Sequence, residues 1–374
     1  MRLIFTRFIV VAVLLQNFWG CSSENPTAPT ATDLNDIPAL MDFYNVPGVS
    51  IAVIKDFQID YFQVYGVKDV QTQEPVAGET LFQAASISKS VSAMAAVKFV
   101  QDGKILFDEN INSKLTTWKV PENQFTANEK VTLRRLISHT AGTTVHGFRG
   151  YRYTEPVPSL VEVLNGASPA NSPVIFVDRM PGREFKYSGG GFCIMQQALI
   201  DVEQKPFPQI LQELVLGPLG MQNSAFAQPL PAQEVSYASS GHYTNGNVVP
   251  SKHHIYPEMA AAGLWTTPND LALFLIELQR SMRGESNKVL TTEMVHKMMS
   301  PVVVGSYGLG LEIYQVSAEK YFGQGGANEG FRCLMIAHNS GVGLVVMTNS
   351  DNGSKLNDKI FDLIATKENW PGAL

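Results

Sequence analysis

The hydrophobic positions in the first third of the chain follow two different periods. Val46–Ile54 and Ile59–Val64 are short runs rich in β-branched residues, and the polar residues between them predict a two-stranded hairpin. In Ser86–Val100 the apolar residues recur three and four positions apart, which is typical of a helix, and Gly103 follows as a stop signal. We expect the folded part of the chain to begin near Asp33.

The middle of the chain has mostly helical patterns joined by long loops. Helices are predicted over Thr132–His139, Gly190–Val202 and Pro268–Arg280. The third has clear start signals, since Thr267 is a suitable N-cap, a proline occupies the first helical position, and Asp270 would complete a capping pair. Asp270 is therefore assigned a structural role.

The last quarter of the chain changes to strand patterns. A helix with apolar residues at helical spacing follows them from Ser354. Strands at both ends of the chain with helices between them predict an α+β fold. This α/β sandwich would have an antiparallel sheet formed by both termini, flanked by helices, with an inserted, mostly helical subdomain. The predicted strands are Tyr307–Gln315, Lys320–Gln324, Gly330–His338 and Val342–Thr348.

The domain boundaries follow from these patterns. Residues 33–374 are expected to form one folded domain, with a sheet part at about 33–85 and 300–374 and a helical part at about 86–299. Residues 21–32 are rich in Ser, Thr, Pro and Ala and are predicted to be a polar tether.

The first twenty residues have the pattern of an export signal. Two arginines precede the unbroken apolar run Phe8–Leu15, which is too short to cross a bilayer as a helix. Cys21 follows Gly20, and this pair resembles the cleavage site of a bacterial lipoprotein, in which the cysteine is lipidated. We therefore expect a protein at the periplasmic face of a bacterial membrane, anchored by a lipid on Cys21. Periplasmic location or secretion without a lipid is the alternative.

Composition narrows the class of protein further. The 374 residues are 45% hydrophobic and 17% charged, with a formal net charge of -6, which excludes disorder as the main state. Phosphate binding needs clustered Lys and Arg, and the absence of a basic stripe argues against a nucleic-acid partner. Three cysteines do not make a disulfide scaffold. Cys193 and Cys333 are interpreted as two buried free thiols, with a disulfide between them as the alternative.

Ser86 and Lys89 form the S-x-x-K pattern at the start of a predicted helix. Serine needs a base within hydrogen-bond reach to act as a nucleophile, and three residues along a helix place Lys89 on the same face. The unpaired N–H groups of the first helical turn can also stabilise an oxyanion. Taken alone, the same pair could be an N-capping serine and a surface lysine. A second copy, Ser317–Lys320, is predicted to be a hairpin turn.

Seven short segments of the chain resemble those of one protein family in both order and spacing. The segments are Phe82–Lys89 (FQAASISK), Leu136–Gly142 (LISHTAG), Phe185–Gly189 (FKYSG), Pro218–Met221, Ala262–Thr267, Tyr307–Gly310, and Phe322–Ala327 followed by Gly330–Arg332. Together they resemble the serine β-lactamase-like family, which includes class C β-lactamases, D-Ala-D-Ala carboxypeptidases and related esterases. The resemblance covers nearly the whole chain after the tether.

The resemblance implies a role for each matching residue. Ser86 would be the nucleophile, Lys89 its proton partner, and Tyr187 a second proton-transfer group. A phenol can transfer protons near neutral pH only if a positive charge nearby, such as that of Lys89, lowers its pKa. The backbone N–H groups of Ser86 and Ala327 would form the oxyanion hole. His139, at the end of its predicted helix, is interpreted as a structural residue in favourable contact with the helix dipole. Neither a metal nor an organic cofactor is implied. The substrate-binding strand would include Gln324, Gly325 and Gly326.

Two departures from the family pattern bear on the substrate. Gly189 stands where asparagine is common, so a side chain that would bond a substrate amide is missing. Gln324 stands where penicillin-recognising members have lysine, so a cation that would pair with a substrate carboxylate is missing too. A charge-assisted bond of this kind contributes roughly 1.5 to 3 kcal/mol. Esters of uncharged acyl groups need neither contact.

The sequence therefore predicts an exported serine hydrolase that acts through a Ser86 acyl-enzyme, most simply on carboxylic esters. The alternatives are an amide hydrolase of the β-lactamase or D-Ala-D-Ala carboxypeptidase type, and a catalytically weak, cell-wall-associated binding protein. The expected partners are a small-molecule ester or amide substrate and, through Cys21, a membrane. His242, His253 and His254 are interpreted as polar loop residues and not as a metal site. The oligomeric state does not follow from the sequence.

Overall fold

The computed structural model describes residues 28–302 and 306–373. The predicted signal peptide, most of the predicted tether and Cys21 lie outside the described residues. The helices are α1 (Ile37–Tyr44), α2 (Ile87–Gln101), α3 (Leu133–Ile137), α4 (Leu160–Asn165), α5 (Gly189–Glu203), α6 (Phe207–Leu211), α7 (Gly217–Leu219), α8 (Met259–Ala262), α9 (Pro268–Met282), α10 (Thr292–Met299) and α11 (Gly353–Lys367). The strands are β1 (Gly48–Lys55), β2 (Gln58–Asp69), β3 (Glu74–Pro75), β4 (Phe82–Gln83), β5 (Trp265–Thr266), β6 (Glu312–Val316), β7 (Glu319–Asn328), β8 (Phe331–His338) and β9 (Gly343–Thr348).

Both ends of the chain contribute to one antiparallel sheet. Its seven strands lie in the order β3-β2-β1-β9-β8-β7-β6 within the described residues. The N-terminal hairpin meets the C-terminal meander where β1 pairs with β9, with Ile51 opposite Val346. Because β1 lies in the centre of the sheet, seven of its eight residues are buried. The predicted fold class is confirmed.

The sheet has a helical layer on each face. Ile51 and Val346 face the smaller layer, where they share a core with α1 and α11. Their neighbours Ala52 and Val345 point to the opposite face and join the larger core with α2 and α9, as the two-residue period of a strand requires. In α2 nearly every residue is buried, because α5, α8 and the sheet surround it. This central position fixes the first turn of α2 against the sheet.

Several element boundaries differ from the predictions, most clearly before β6 and at the start of the fold. The strand predicted from Tyr307 begins only at Glu312. Gly310 before it has a φ of 83°, and a Cβ there would lie 2.2 Å from the Cβ of Ala93, so this segment turns tightly against α2 instead of extending. Helix α1 was not predicted from the sequence. It is short and ends at Asn45, which has a left-handed conformation.

The second S-x-x-K copy lies in a tight hairpin. Val316 at the end of β6 pairs with Glu319 at the start of β7, so Ser317 and Ala318 form the turn between them. This prediction is confirmed. No helix in the described part of the chain combines the length and apolar character needed to span a membrane.

Candidate active site

Ser86 lies at the turn between β4 and α2. Ala85 precedes it with a positive φ of 51°, a conformation that is uncommon for a residue with a side chain and that occurs preferentially at functional sites. The amides of Ile87 and Ser88 bond to the carbonyl oxygens of Ala84 and Ala85. Ser86 makes no side-chain capping bond. The interpretation of Ser86 as an N-capping serine is therefore wrong.

Lys89 is buried directly beneath Ser86. Its side chain is 2% exposed. The Nζ atom lies 3.1 Å from Ser86 Oγ and donates a hydrogen bond of 2.7 Å to the carbonyl oxygen of Ala261. It also lies 5.1 Å from the centre of the Tyr187 ring. The interpretation of Lys89 as a surface lysine is therefore wrong. Lys89 and Ser86 lie within hydrogen-bond distance of each other, as the family resemblance implies.

Tyr187 lines the same cleft as Ser86, just before α5. Its ring packs against His139 at 4.2 Å and against His146 at 4.8 Å between ring centres. The following residue, Ser188, caps α5 by accepting a bond from the amide of Gly191. Tyr187 is thus held between a helix start and two imidazole rings.

His139 does not have the role predicted from its position. The helix before it ends at Ile137, and His139 turns away with a φ of 59°. Burial, together with the nearby charge of Lys89, lowers the pKa of His139 well below its ordinary value. The ring is thus neutral, and its Nδ1 accepts a hydrogen bond of 3.1 Å from the amide of Ser188. Instead of contacting a helix dipole as a cation, His139 positions the backbone beside Tyr187.

The edge of the sheet next to Ser86 is formed by the second half of β7. Strand β6 pairs with β7 only as far as Gly323, so within the described residues Gln324–Asn328 pair with β8 alone. A Cβ on Gly326 would lie 2.3 Å from the carbonyl oxygen of Ala84, so only glycine allows this strand to approach the turn before Ser86. Ala327 follows Gly326 and lines the cleft together with Ser86.

Gln324 occupies the position of the family's lysine. It is 5% exposed, and its Oε1 accepts a hydrogen bond of 2.9 Å from the Tyr307 hydroxyl. Its Nε2 lies 3.2 Å from the carbonyl oxygen of Gly325. Gln324 therefore presents an amide, engaged by its neighbours, and no positive charge to the cleft.

The cleft has a volume of about 480 Å³. It contains every catalytic and substrate-binding residue named from the sequence except Lys89, which lies beneath Ser86. Part of its lining was not predicted from the sequence, because no motif marks those residues. They are His146, Gly147 and Phe148 from the loop before α4, and Leu334, Ser354, Asn357 and Asp358 from β8 and α11.

The three histidines considered for a metal site lie outside this cleft. Nδ1 of His242 is hydrogen-bonded to the carbonyl oxygen of Asn349, and Nδ1 of His254 is hydrogen-bonded to the carbonyl oxygen of Arg149. His253 is buried, and its burial lowers its pKa to about 4. Over residues 28–302 and 306–373, no group of three or more His, Cys, Asp or Glu side chains is placed to hold a metal ion.

Asp270 differs in detail from its predicted role. Thr267 caps α9 by accepting from the amide of Asp270, as expected. The carboxylate of Asp270, however, accepts bonds of 2.7 Å from the Asn223 amide and the Ser224 hydroxyl. It therefore ties a distant loop to α9 and does not complete the capping pair.

Cys193 and Cys333 are both free and buried, which confirms the preferred interpretation. Cys193 lies within α5, whereas the Cys333 thiol donates to the carbonyl oxygen of Gln83. Burial raises the pKa of Cys333 to about 12. Both thiols are therefore packing residues of low reactivity.

Glu258 is a buried carboxyl group next to the site. It precedes α8, the helix whose Ala261 carbonyl holds Lys89. The side chain is 0% exposed, and neither carboxyl oxygen has a hydrogen-bond partner among the described residues. Burial raises the pKa of Glu258 to about 8. The folded protein therefore keeps this carboxyl group protonated at neutral pH.

We expect Glu258→Gln to remove a pH dependence of stability. Between pH 4.5 and 8 the unfolded chain loses this proton while the folded protein keeps it, so the free energy of unfolding of the wild type falls as the pH rises. At about 1.4 kcal/mol per pKa unit, the total is a few kcal/mol. Denaturant titrations at several pH values should show the variant gaining stability relative to wild type up to pH 8. The exposed Glu79→Gln is the control, and parallel curves for E258Q and wild type would contradict the account.

Comparisons with known proteins find similar sequences and similar folds. The family profile described as "Beta-lactamase" matches residues 35–367. A β-lactamase of Providencia stuartii is 28% identical over 68% of this chain, and the match spans 61% of that protein's own length. An octameric penicillin-binding protein homologue from Pyrococcus abyssi has a TM-score of 0.75 at 23% identity, covering 90% of this chain and 78% of the other. A D-amino acid amidase from Ochrobactrum anthropi SV3 has a TM-score of 0.71 at 21% identity, covering 90% and 99%.

Proposed function

The chain belongs to the Beta-lactamase family, and from that premise we propose that it is a serine hydrolase that cleaves carboxylic esters through an acyl-enzyme on Ser86. One observation carries the proposal: the buried Nζ of Lys89 lies 3.1 Å from Ser86 Oγ beneath the floor of a cleft. A serine hydroxyl becomes an effective nucleophile when a neighbouring base accepts its proton. Lysine can act as that base when it is buried.

In the proposed acylation step, Ser86 Oγ attacks the ester carbonyl carbon while its proton passes to Lys89 Nζ. The backbone N–H groups of Ser86 and Ala327 stabilise the carbonyl oxygen as it becomes negative. The bond to the alkoxy oxygen then breaks, and the proton reaches the leaving alcohol through Tyr187. Lys89 then has the same number of protons as at the start, and the acyl group remains on Ser86. Water later attacks this acyl-enzyme and releases the acid.

The preference for esters rests on the two altered motifs. Gln324 offers no positive charge to a substrate carboxylate, and its amide is already bonded to Tyr307. The loss of a charge-assisted bond corresponds to about ten- to a hundredfold in binding. Gly189 has no side chain to bond a substrate amide. An uncharged ester needs neither contact, and an alkoxide leaves more easily than an amide anion.

Amide hydrolysis is the second candidate. The names of similar proteins favour it, since they include a β-lactamase and a D-amino acid amidase. The groups that would attack the carbonyl are the same for both reactions, so the substrate preference separates the two candidates.

A substrate panel tests the proposal. We expect short-chain p-nitrophenyl esters to be hydrolysed with a kcat/KM about ten- to a hundredfold or more above that for a penicillin or a D-Ala-D-Ala peptide, because the missing contacts affect only the latter two. Faster hydrolysis of the penicillin or the peptide would favour the amide candidate. No turnover of any substrate by a folded protein would contradict the proposed hydrolase and leave the weak binding protein.

We infer the location of the enzyme from the N-terminal sequence alone. The charged start, the apolar run Phe8–Leu15 and Gly20-Cys21 support export, with a lipid on Cys21 as membrane anchor. A mature protein with the mass of the unprocessed chain would contradict both export and lipidation.

A further inference from the structure

The loop of residues 143–148, the His146 loop, fills the space that the family's asparagine side chain would occupy. A Cβ built on Gly189 would lie 2.9 Å from a ring carbon of Phe148 and 3.2 Å from the carbonyl oxygen of His146. The next glycine, Gly190, is also crowded, because its Cβ would lie 2.5 Å from the carbonyl oxygen of Thr144. The start of α5 is thus glycine-rich because this loop packs directly on it.

The backbone of the His146 loop is fixed in an unusual conformation. The amides of Gly189 and Gly190 donate bonds of 3.0 Å to the carbonyl oxygens of His146 and Val145. Val145 has a φ of 63°, which is a strained conformation for a β-branched residue. Such strain persists where the surrounding structure enforces it, commonly at functional sites. Here it determines where His146 enters the cleft.

The His146 side chain is solvent-accessible and lines the cleft together with Ser86 and Tyr187. The charged and titratable groups around it are Lys89 from α2, His139 from the turn after α3, Tyr187 from the loop before α5, and Asp358 of α11, which lines the same cleft. Partial burial is the main cause that lowers the pKa of His146 from its ordinary value of 6.5. At neutral pH the ring is therefore uncharged and able to accept a proton.

We propose that His146 is the catalytic base that activates the water molecule in deacylation, a role that rests on the proposed acyl-enzyme at Ser86. Its imidazole takes one proton from water as the water oxygen bonds to the acyl carbon. The tetrahedral intermediate then collapses, the bond from carbon to Ser86 Oγ breaks, and the imidazolium returns the proton to Oγ through Tyr187. The acid leaves, and the serine, the imidazole and the phenol regain their starting forms.

His146→Gln and His146→Ala test this role with p-nitrophenyl butyrate. A general base typically contributes about a hundredfold or more, so we expect deacylation to slow by that factor. Because acylation uses Lys89, both variants should still release a burst of p-nitrophenol and then accumulate an acyl-enzyme visible by intact mass. The wild-type deacylation rate should fall with decreasing pH around a midpoint below 6.5, and both variants should lose this dependence. His296→Gln, an exposed histidine of α10, is the matched control.

Two results would overturn the role of His146. One is wild-type deacylation with the same pH dependence in both variants. The other is a rise in KM at unchanged kcat, which would assign His146 to substrate binding. Neither result affects the proposed function, since Ser86 would still be acylated. Failure of the wild type itself to form any adduct at Ser86 would instead contradict the proposed function.

Discussion

Ser86→Ala is expected to lower kcat for p-nitrophenyl ester hydrolysis by at least about ten-thousandfold, because without Oγ no acyl-enzyme can form and only binding and oxyanion stabilisation remain. The fold should persist. The Ser86 side chain makes no capping bond, and it lines the cleft. Steady-state kinetics with circular dichroism and thermal unfolding of both proteins provide the measurement.

Ser317→Ala is the matched control for this substitution. Ser317 begins the second S-x-x-K copy but lies in the hairpin turn between β6 and β7, where its Oγ donates to the carbonyl oxygen of Gly372. We expect S317A to keep wild-type kcat. Residual activity in a folded S86A protein within tenfold of wild type would contradict the assignment of Ser86 as the nucleophile.

Gly326→Ala is expected to lower kcat/KM by about a hundredfold, the cost of moving reacting groups by roughly 1 Å. A Cβ at this position would lie 2.3 Å from the carbonyl oxygen of Ala84, and a backbone atom cannot yield as a flexible side chain can. Strand β7 must then move away from the turn before Ser86. Since Ala327 follows directly, the two N–H groups of the proposed oxyanion hole would separate.

Gly325→Ala provides the comparison on the same strand. Its Cβ would lie 3.9 Å from the nearest atom, the carbonyl oxygen of Cys333, which is an ordinary van der Waals contact. We expect a much smaller loss than for G326A, confined mainly to KM. Both variants should unfold cooperatively. Equal losses in the two variants would show that the close approach of β7 to Ser86 does not matter for catalysis.

The parts of the fold that the sequence predicted are those with local patterns. The hairpin of β1 and β2, the C-terminal strands and α2 have apolar periods that identify them directly, and the turn at Ser317 lies between two such strands. Elements without a clear local pattern were missed or misjudged, as two examples show. Helix α1 is too short for a clear period, and the segment before β6 is apolar but turns because Gly310 packs on Ala93.

The residues of the candidate site could be predicted only where a sequence motif lies at a suitable place in a predicted element. Ser86 and Lys89 were identifiable because they are three residues apart at a helix start. The group that holds Lys89, the carbonyl of Ala261, lies 172 residues further along, and no local pattern indicates it. The role of His139 was misjudged because its neutral state depends on burial by the fold.

His146 illustrates the same limit. It lies four residues after the family-like segment that ends at Gly142, yet nothing in its surroundings in sequence indicates catalysis. Its place in the cleft depends on the glycines at the start of α5, more than forty residues away. From the sequence, Gly189 could be identified only as a position where the family commonly has asparagine. In the structure it is the position against which the His146 loop packs.

The central claim is that Ser86 is the residue that becomes acylated. The most direct measurement is incubation of the folded protein with a fluorophosphonate probe and, separately, with a penicillin, followed by intact mass and peptide mapping. The account predicts one fluorophosphonate adduct per chain, mapped to Ser86 and absent from S86A, with little or no labelling by the penicillin. A folded protein that is unlabelled, or labelled at another residue, would contradict the account.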